Sequence, residues 1–293
     1  RDLYQEITDK IIKVLERVDP DGWQAPFAGL AAQGLPLNPT TESHYHGVNI
    51  PSLWFDQQEK GFTSNRWATF KQWKEQGAAV RKGEKGSPII FYKTLVKTEK
   101  NERGEDQENH IPMMRSYSVF NANQVDGYDH NEQGTVNEFD LVKRIKAVDQ
   151  FCTNTGADIR HGGGAGAYYH PAGDYINIPE TIAFIDTQGA SATQNYYATL
   201  LHELTHWTGA PHRLNREKGK EREKYAFEEL IADLGAAFLC SQLRIVQTPR
   251  EDHAHYIKSW LKALKNDKKC IFKASAQAAK AAEYMNTLQG GAA

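Results

Sequence analysis

The stretch HELTHWTGAPH, from His202 to His212, places two histidines four positions apart, with a glutamate directly after the first. The preceding residues NYYATLL are apolar enough for a buried helix. Residues four apart lie on one helix face, so His202 and His206 can bind one ion while Glu203 lies beside it. The pattern predicts a zinc site that keeps one position open for water, with Glu203 as the catalytic general base.

Two patterns compete for the third metal ligand. The motif H-E-x-x-H-x-x-G-x-x-H continues through Gly209 to His212, as in metzincins, where a glycine bends the chain toward a third histidine. Further along, Glu229 and Asp233 fit the E-x-x-x-D spacing of gluzincins. There the glutamate binds zinc and the aspartate orients a ligating histidine.

Two features favour Glu229. A metzincin needs a methionine turn beneath the metal, yet after His212 the sequence has a methionine only at Met285, near its end. Glu229 and Asp233 lie among the apolar residues of YAFEELIADLGAAFL, where unpaired carboxylates are costly. A metal ion would explain both acidic residues.

We therefore predict one Zn²⁺, or another divalent ion such as Mn²⁺, per chain. The predicted ligands are His202, His206 and Glu229, with His212 as the alternative third ligand and Asp233 orienting a histidine. Glu228, the neighbour of Glu229, is the residue that a shift in register would make the ligand instead, but it is interpreted as a solvated charge on the helix face.

The length of 293 residues and the apolar content of 40% predict two hydrophobic cores of about 140 residues each. The first residues, RDLYQEITDK, are charged where a signal peptide is apolar, and no apolar run reaches the length of a membrane span. Three widely spaced cysteines without a C-x-x-C pattern indicate neither a disulfide framework nor a thiolate zinc site. We expect a soluble protein of a reducing cytoplasm, without a membrane partner.

Alternating helical and strand patterns predict an α+β fold with two domains, residues 1–136 and 137–293. The boundary falls near Gly134 to Asn137. In the first domain we predict a helix that begins at Ser64 or Asn65 and ends at Gly77. The polar run from Lys97 to His110 is predicted to be a mobile loop.

The front half contains a strongly basic segment. Residues 66–97 carry eight basic and two acidic side chains, a local net charge of +6, whereas the whole chain has −2. Cations that follow phosphates and aromatic rings that stack on bases suit single-stranded nucleic acid. The candidate DNA-binding residues are Arg66, Trp67, Lys71, Trp73, Lys74, Arg81, Lys82 and Lys85. In the alternative, Trp67, Phe70 and Trp73 form the buried face of a helix and the lysines its wet side.

Several motifs in order resemble the ArdC antirestriction proteins of conjugative plasmids and the front portion of TraC-type plasmid primases. They are GLPLNPTTESHYHGVNIPSLW, GFTSNRWATFKQW, VRKGEKGSPIIFYK, VFNANQV, AYYHPAGDYINIP, HELTHWTGAPHRLNR and YAFEELIADLGAAFL. The resemblance implies an N-terminal domain that binds single-stranded DNA and a C-terminal zincin-type metallopeptidase domain. His202, Glu203, His206 and Glu229 match the metallopeptidase pattern.

The resemblance also implies protection of incoming plasmid DNA from host restriction enzymes. The protein would act in the bacterial cytoplasm, with transfer to the recipient cell during conjugation left open. One alternative is a site-specific metallopeptidase that acts on a restriction subunit or another DNA-bound protein, with host restriction-modification proteins as partners. Another is a pure DNA-binding protein with a structural metal.

Overall fold

The structure is a computed structural model that describes residues 2–16, 34–100, 106–128, 138–162, 166–187, 189–216, 222–245 and 254–290. For residues 93–100, 106–113, 138–144, 222 and 254–256 it describes the backbone alone. The linker that the sequence places near Gly134 to Asn137 lies outside these ranges, so the domain boundary stays a prediction.

The described part of the front half combines helices with short strands and one long hairpin. Its elements are α1 (Leu3–Glu16), β1 (Leu37–Asn38), β2 (Ser43–His44), α2 (Asn49–Glu59), β3 (Trp67–Thr69), α3 (Phe70–Glu75), β4 (Ala79–Val80), β5 (Ser87–Lys100), β6 (Asp106–Asn121), a 3-10 turn (Ala122–Gln124) and β7 (Val125–Asp126).

The main sheet of the front half is antiparallel in the order β3-β6-β5. Strands β5 and β6 pair from Ser87 opposite Val119 to Lys100 opposite Asp106. The prediction of a loop from Lys97 to His110 is therefore wrong for the described residues on both sides of 101–105. Ladder hydrogen bonds join backbone groups, so a polar composition does not prevent strand pairing.

The helix predicted from Ser64 to Gly77 is shorter than expected. Its first part is strand β3, which pairs with β6, and helix α3 begins only at Phe70. Thr69 caps α3, because its hydroxyl accepts from the Gln72 N–H while the Gln72 side chain accepts from the Thr69 N–H. Pairing with β6 overrides the helical periodicity of the preceding residues.

The second half contains a small sheet beside a group of helices. Its described elements are α4 (Glu138–Asn154), β8 (Asp158–His161), β9 (Tyr168–His170), β10 (Tyr175–Ile178), a 3-10 turn (Thr181–Ala183), α5 (Ala192–Thr208), α6 (Arg222–Leu243), α7 (Ala254–Asn266) and α8 (Cys270–Thr287).

The sheet of the second half has the order β8-β10-β9. Strand β10 is parallel to β8 and antiparallel to β9, so β9 lies at an edge. The turn from Pro171 to Asp174 joins β9 to β10 in an antiparallel hairpin. Edge strand β9 packs against α5, which carries the HELTH motif.

The main hydrophobic core extends through both halves of the chain. Amphipathic α1 buries Ile11 and packs against α7 and α2. Trp54 of α2 packs against Phe238 of α6, with ring centroids 5.9 Å apart. Thr8 also donates a hydrogen bond to the carbonyl of Lys268, at 2.8 Å. The expectation of two separate cores is wrong, because α1 buries its apolar face against the second half.

Among the described helices, none is both long enough and apolar enough to cross a bilayer. Cys152, Cys240 and Cys270 are free thiols and all three are buried. Burial raises the pKa of Cys152 to about 12, with a smaller contribution from Asp149.

Candidate metal centre

Helix α5 carries both predicted histidine ligands. Its N-terminus has a capping box, in which the Ser191 hydroxyl accepts from the Gln194 N–H and the Gln194 side chain accepts from the Ser191 N–H. His202 and His206 follow on one face, and the helix ends before Gly209. The His202 side chain is buried, and most of the His206 side chain is as well.

Helix α6 crosses α5 at the histidines. A β-carbon on Gly235 of α6 would lie 2.5 Å from Cγ2 of Thr205 in α5. The two backbones approach this closely because residue 235 has no side chain. The crossing brings Glu228, Glu229 and Asp233 of α6 to the histidine pair.

Donor atoms of His202, His206 and Glu229 converge on one point. The two Nε2 atoms lie 3.1 Å apart, and carboxylate oxygens of Glu229 lie 3.4 Å from each of them. Two ligands at about 2.0–2.1 Å from a tetrahedral ion are separated by about 3.3–3.4 Å. The spacing and the chemistry of these donors therefore fit a divalent cation.

The second nitrogen of each imidazole faces another carboxylate of α6. Nδ1 of His202 lies 3.0 Å from Oδ1 of Asp233, and Nδ1 of His206 lies 3.2 Å from Oε1 of Glu228. Partners in these positions fix the orientation of an imidazole and determine which nitrogen faces the metal. Asp233 thus occupies the position that the E-x-x-x-D pattern predicts.

Charges at the cluster shift two pKa values strongly. Burial acts to raise the pKa of Glu229, but His206 and His202 hold it well below its usual range. Burial acts to lower the pKa of His206, but the charge of Glu229 and hydrogen bonds with Glu228 and Glu229 raise it to about 10. The carboxylates of α6 therefore attract positive charge to this point.

Glu203 is buried and directly follows His202 in the sequence. Its Oε2 accepts a hydrogen bond from the backbone N–H of Tyr169, at 2.9 Å. Tyr169 belongs to edge strand β9, so the sheet orients this carboxylate. A fixed carboxylate beside a metal site has the position of a general base.

His212 lies apart from the cluster. Its side chain is 61% exposed, and its Nε2 lies 3.2 Å from Oδ2 of Asp174. Arg213 donates to the same carboxylate, as does the hydroxyl of Tyr169. The structure thus brings Glu229, rather than His212, to the two histidine nitrogens.

Gly209, the glycine of the metzincin-like pattern, is explained by packing rather than by a bend toward a third histidine. Its φ of −76° is open to any residue. A β-carbon there would, however, lie 2.8 Å from Nη2 of Arg216. Gly209 makes room for the buried Arg216 guanidinium, which explains the glycine without a third histidine.

The interpretation of Glu228 as a solvated charge is wrong. Its side chain is 15% exposed and forms an ion pair with Arg216, at 2.7 Å. Glu228 is next to Glu229, and helical spacing alone does not show that both carboxylates face α5. Arg216 ends the motif HELTHWTGAPHRLNR, but no spacing rule indicated its contact with Glu228, because it lies in an irregular segment after α5.

The predicted DNA-binding cations fall into two groups. Lys71, Lys74, Lys82 and Lys85 are exposed. Arg66, by contrast, is half-buried and donates to the Tyr128 hydroxyl, at 2.9 Å. Arg81 is exposed but donates to the Val125 carbonyl and pairs with Glu84 and Asp126. The four lysines are therefore better placed to meet phosphates than the two arginines.

Both predicted DNA-binding tryptophans are core residues. Trp67 and Trp73 are 0% exposed. The Trp73 indole donates to the Phe120 carbonyl, and the Trp67 ring packs edge-on against Phe62. The structure corrects the prediction that they stack on bases, since neither ring presents a face to solvent.

Exposed aromatic rings occur elsewhere in the front half, at Phe70, Phe91, Tyr92 and Tyr117. Phe91 and Tyr92 border a cleft of about 720 Å³ between β5, the β1–β2 hairpin and α8. Lys269, just before α8, and Lys273 of α8 also line this aromatic cleft, and the described lining residues include no carboxylate. Sequence reasoning missed the cleft because distant segments form it.

Two family models match separate parts of the chain. Residues 1–120 match the N-terminal domain of the anti-restriction factor ArdC, and residues 146–277 match a zincin-like metallopeptidase. The four exposed lysines lie in the first segment, and His202, Glu203, His206 and Glu229 lie in the second.

A solved structure is similar over nearly the whole chain. The metal-free crystal structure of the antirestriction ArdC protein from plasmid R388 is 40% identical, with a TM-score of 0.78, over 99% of this chain and 98% of that one. The chain belongs to the ArdC family. The predicted resemblance and the α+β fold with a zincin-like second part are thereby confirmed.

Other relatives extend the comparison. The Mn(II)-bound structure of the R388 ArdC protein is 40% identical, with a TM-score of 0.77, and each chain is covered in full. The uncharacterized protein y4eC of Sinorhizobium fredii is 37% identical over 99% of this chain and 94% of its own length. A DNA primase TraC of Escherichia coli is 33% identical over 96% of this chain, which spans 27% of that primase.

Proposed function

We propose that this ArdC-family chain is an antirestriction protein that binds single-stranded DNA and holds one divalent ion at His202, His206 and Glu229. Its place of action is the bacterial cytoplasm, where incoming plasmid DNA meets restriction enzymes. The observation that carries the metal site is the convergence of two Nε2 atoms and one carboxylate within 3.4 Å of one another. The Mn(II)-bound ArdC relative supports a metal of this charge.

The residues around the site suit metallopeptidase chemistry. A divalent ion held there supplies Lewis acidity toward a carbonyl group and toward water. Glu203 accepts the proton of an attacking water, and the Tyr169 N–H holds its carboxylate in place for that step. Asp233 keeps the His202 ring turned with Nε2 toward the ion.

The proposed DNA surface combines the exposed lysines with the aromatic cleft. Lys85 lies just before β5, and Phe91 and Tyr92 follow on the same strand. At about 3.3 Å per residue, the six steps from Lys85 to Phe91 span about 20 Å. A single strand along this path places phosphates near cations and bases against exposed rings, as in other single-strand binding proteins.

Titration of the full chain with labelled oligonucleotides at several salt concentrations tests this surface. Single strands are expected to bind more tightly than duplex. Lys74→Ala or Lys85→Ala should each lower the salt slope of log K by about 0.7, the value of one phosphate contact. Phe91→Ala should cost about 1–3 kcal/mol of binding and leave the slope unchanged.

Two matched variants serve as controls. Lys258→Ala removes an exposed charge from α7 that does not line the aromatic cleft, and it should leave the salt slope unaltered. Phe91→Leu keeps an apolar side chain without an aromatic face and should resemble Phe91→Ala in its binding loss. Binding that is absent or independent of salt would refute the proposed DNA surface.

A second candidate function, cleavage of a restriction subunit or another DNA-bound protein, is favoured by the orientation of Glu203. The Glu203→Gln variant keeps the three ligands and removes the general base. If the protein protects DNA by binding it, the variant should still raise plasmid transfer into a restricting recipient. Loss of that protection with intact DNA affinity and metal content would instead favour peptidase action.

A further inference from the structure

Both carboxylate oxygens of Glu228 are engaged in the structure. Its Oε1 lies 3.2 Å from Nδ1 of His206 and accepts from Nη2 of Arg216 at 2.7 Å. Its Oε2 accepts from Nε of Arg216 at 3.2 Å. The pairing is bidentate, a geometry that a guanidinium provides and an ammonium does not.

Arg216 is itself held rigidly against the end of α5. Its side chain is 3% exposed. It donates to the Thr205 carbonyl at 2.6 Å and to the Thr208 hydroxyl at 2.7 Å. A cation that satisfies a terminal carbonyl also complements the negative end of the helix dipole. The guanidinium therefore links the last turn of α5 to Glu228 on α6.

The packing around Arg216 leaves its guanidinium little room to move. A β-carbon on Gly209 would meet Nη2, Cζ and Nε of Arg216 at 2.8 to 3.1 Å. The backbone N–H of Arg216 also donates to the Gly209 carbonyl, at 3.2 Å. Gly209 and Arg216 thus form one unit that holds the Glu228 carboxylate, whose Oε1 also faces Nδ1 of His206.

We propose that Arg216 and Glu228 are positioning residues that hold His206 for the metal and reserve Glu229, rather than its neighbour Glu228, as the carboxylate ligand. The inference rests on the proposed metal site. Two adjacent glutamates reach the same histidine, at 3.2 Å and 3.4 Å. Arg216 occupies both oxygens of Glu228, so Glu229 is left to face the two Nε2 atoms.

Metal affinity is the direct readout, measured by competition of Zn²⁺ with a chelating dye on the purified full chain. Glu228→Ala should weaken binding about 10- to 100-fold, the usual effect of losing an outer partner of a ligating histidine. Glu228→Gln keeps an oxygen that accepts from Nδ1 of His206 and should recover part of that loss. Glu223→Gln, on an exposed residue of the same helix, should match the unaltered chain.

Arg216→Met and Gly209→Ala test the other half of the unit. Each should weaken Zn²⁺ binding, and the double variant should lose little more than Arg216→Met alone, because both act through the same guanidinium. With Co²⁺ in the site, the visible absorption spectrum should change in Arg216→Met, since Glu228 can then compete with Glu229 as ligand. A merely structural role would lower the melting temperature without changing that spectrum.

The outcomes distinguish failure of the positioning role from failure of the proposed metal centre. If the unaltered chain binds no divalent ion, the proposed metal centre fails. If it binds one but Glu228→Ala and Arg216→Met keep its affinity within twofold and its Co²⁺ spectrum, the positioning role is refuted. Circular dichroism of the metal-free variants identifies any that fail to fold, and Glu228→Gln then provides the deciding affinity.

Discussion

At the proposed metal centre, a carboxylate that lies at one nitrogen of a histidine ring leaves the other nitrogen to face the ion. Asp233 meets Nδ1 of His202, and both side chains are 3% exposed, so solvent provides no ready substitute for either partner. A neutral imidazole that donates from Nδ1 presents Nε2 as its acceptor. We therefore propose that this carboxylate determines which nitrogen of His202 faces Glu229.

Removal of this carboxylate should weaken the site without abolishing it. Asp233→Ala is expected to lower Zn²⁺ affinity by about 10- to 100-fold, because His202 keeps its position but loses its fixed orientation. Isothermal titration of the metal-free protein measures the change. An unaltered affinity would mean that Asp233 does not orient the ligand. The Zn²⁺ affinity of Asp233→Asn should lie between those of the unaltered chain and Asp233→Ala.

Part of this residue-level arrangement could be predicted from the sequence. A helical spacing of four puts His202 and His206 together, and buried acidic residues on an apolar helix indicated Glu229 and Asp233. Arg216 could not be predicted, because its position depends on the path of an irregular segment and on the space above Gly209. The roles of the ligand residues remain proposals until metal analysis tests them.

At the level of elements, the site depends on the close crossing of α5 and α6. Gly235 lies against Thr205, so any side chain at 235 meets both Cγ2 and Oγ1 of that residue. The histidines and their carboxylates belong to different helices. A small increase in helix separation therefore changes both distances between a histidine Nε2 atom and Glu229.

Gly235→Ala should push the two helices apart. We expect a loss of about 1–3 kcal/mol in the free energy of unfolding, typical of overpacking, and weaker Zn²⁺ binding. Chemical denaturation and metal titration measure the two effects. Thr205→Ala removes the opposing atoms, so the double variant should recover metal affinity relative to Gly235→Ala, with Thr205→Ala alone as control. No change in either quantity for Gly235→Ala would contradict the role of this crossing.

Elements with a strong local sequence pattern could be predicted, whereas elements that form only by pairing with a distant segment could not. The periodicity of α5 and α6 and the turn between β9 and β10 are local features. Strand β3, in contrast, forms because β6 lies beside it, and its Trp67 follows a helical spacing that points to the wrong element. The alternative to base stacking was a buried helix face of Trp67, Phe70 and Trp73. It is right about burial of the two indoles but wrong for Phe70, which is 59% exposed.

At the scale of the whole molecule, the N-terminal helix joins the two halves. Ile11 of α1 is buried in the core that α2, α6 and α8 share. Lys10 strengthens the junction within the front half, through an ion pair with Asp56 of α2 at 2.7 Å. The proposed DNA surface and the proposed metal centre are therefore expected to unfold together.

Ile11→Ala should destabilise both halves. We expect a loss of about 2–5 kcal/mol, with the same urea midpoint whether unfolding is followed by metal release or by loss of oligonucleotide binding. Lys13→Ala, on the exposed face of α1, is the matched control. A shifted midpoint for DNA binding alone would indicate that the halves unfold independently.

The metal content of three purified proteins tests the central claim most directly. Elemental analysis of the unaltered chain, Glu229→Ala and His212→Ala distinguishes the two ligand sets. We predict about one divalent ion per chain in the unaltered protein and in His212→Ala, and loss of the ion in Glu229→Ala. Retention of the ion in Glu229→Ala, together with its loss in His212→Ala, would contradict the account.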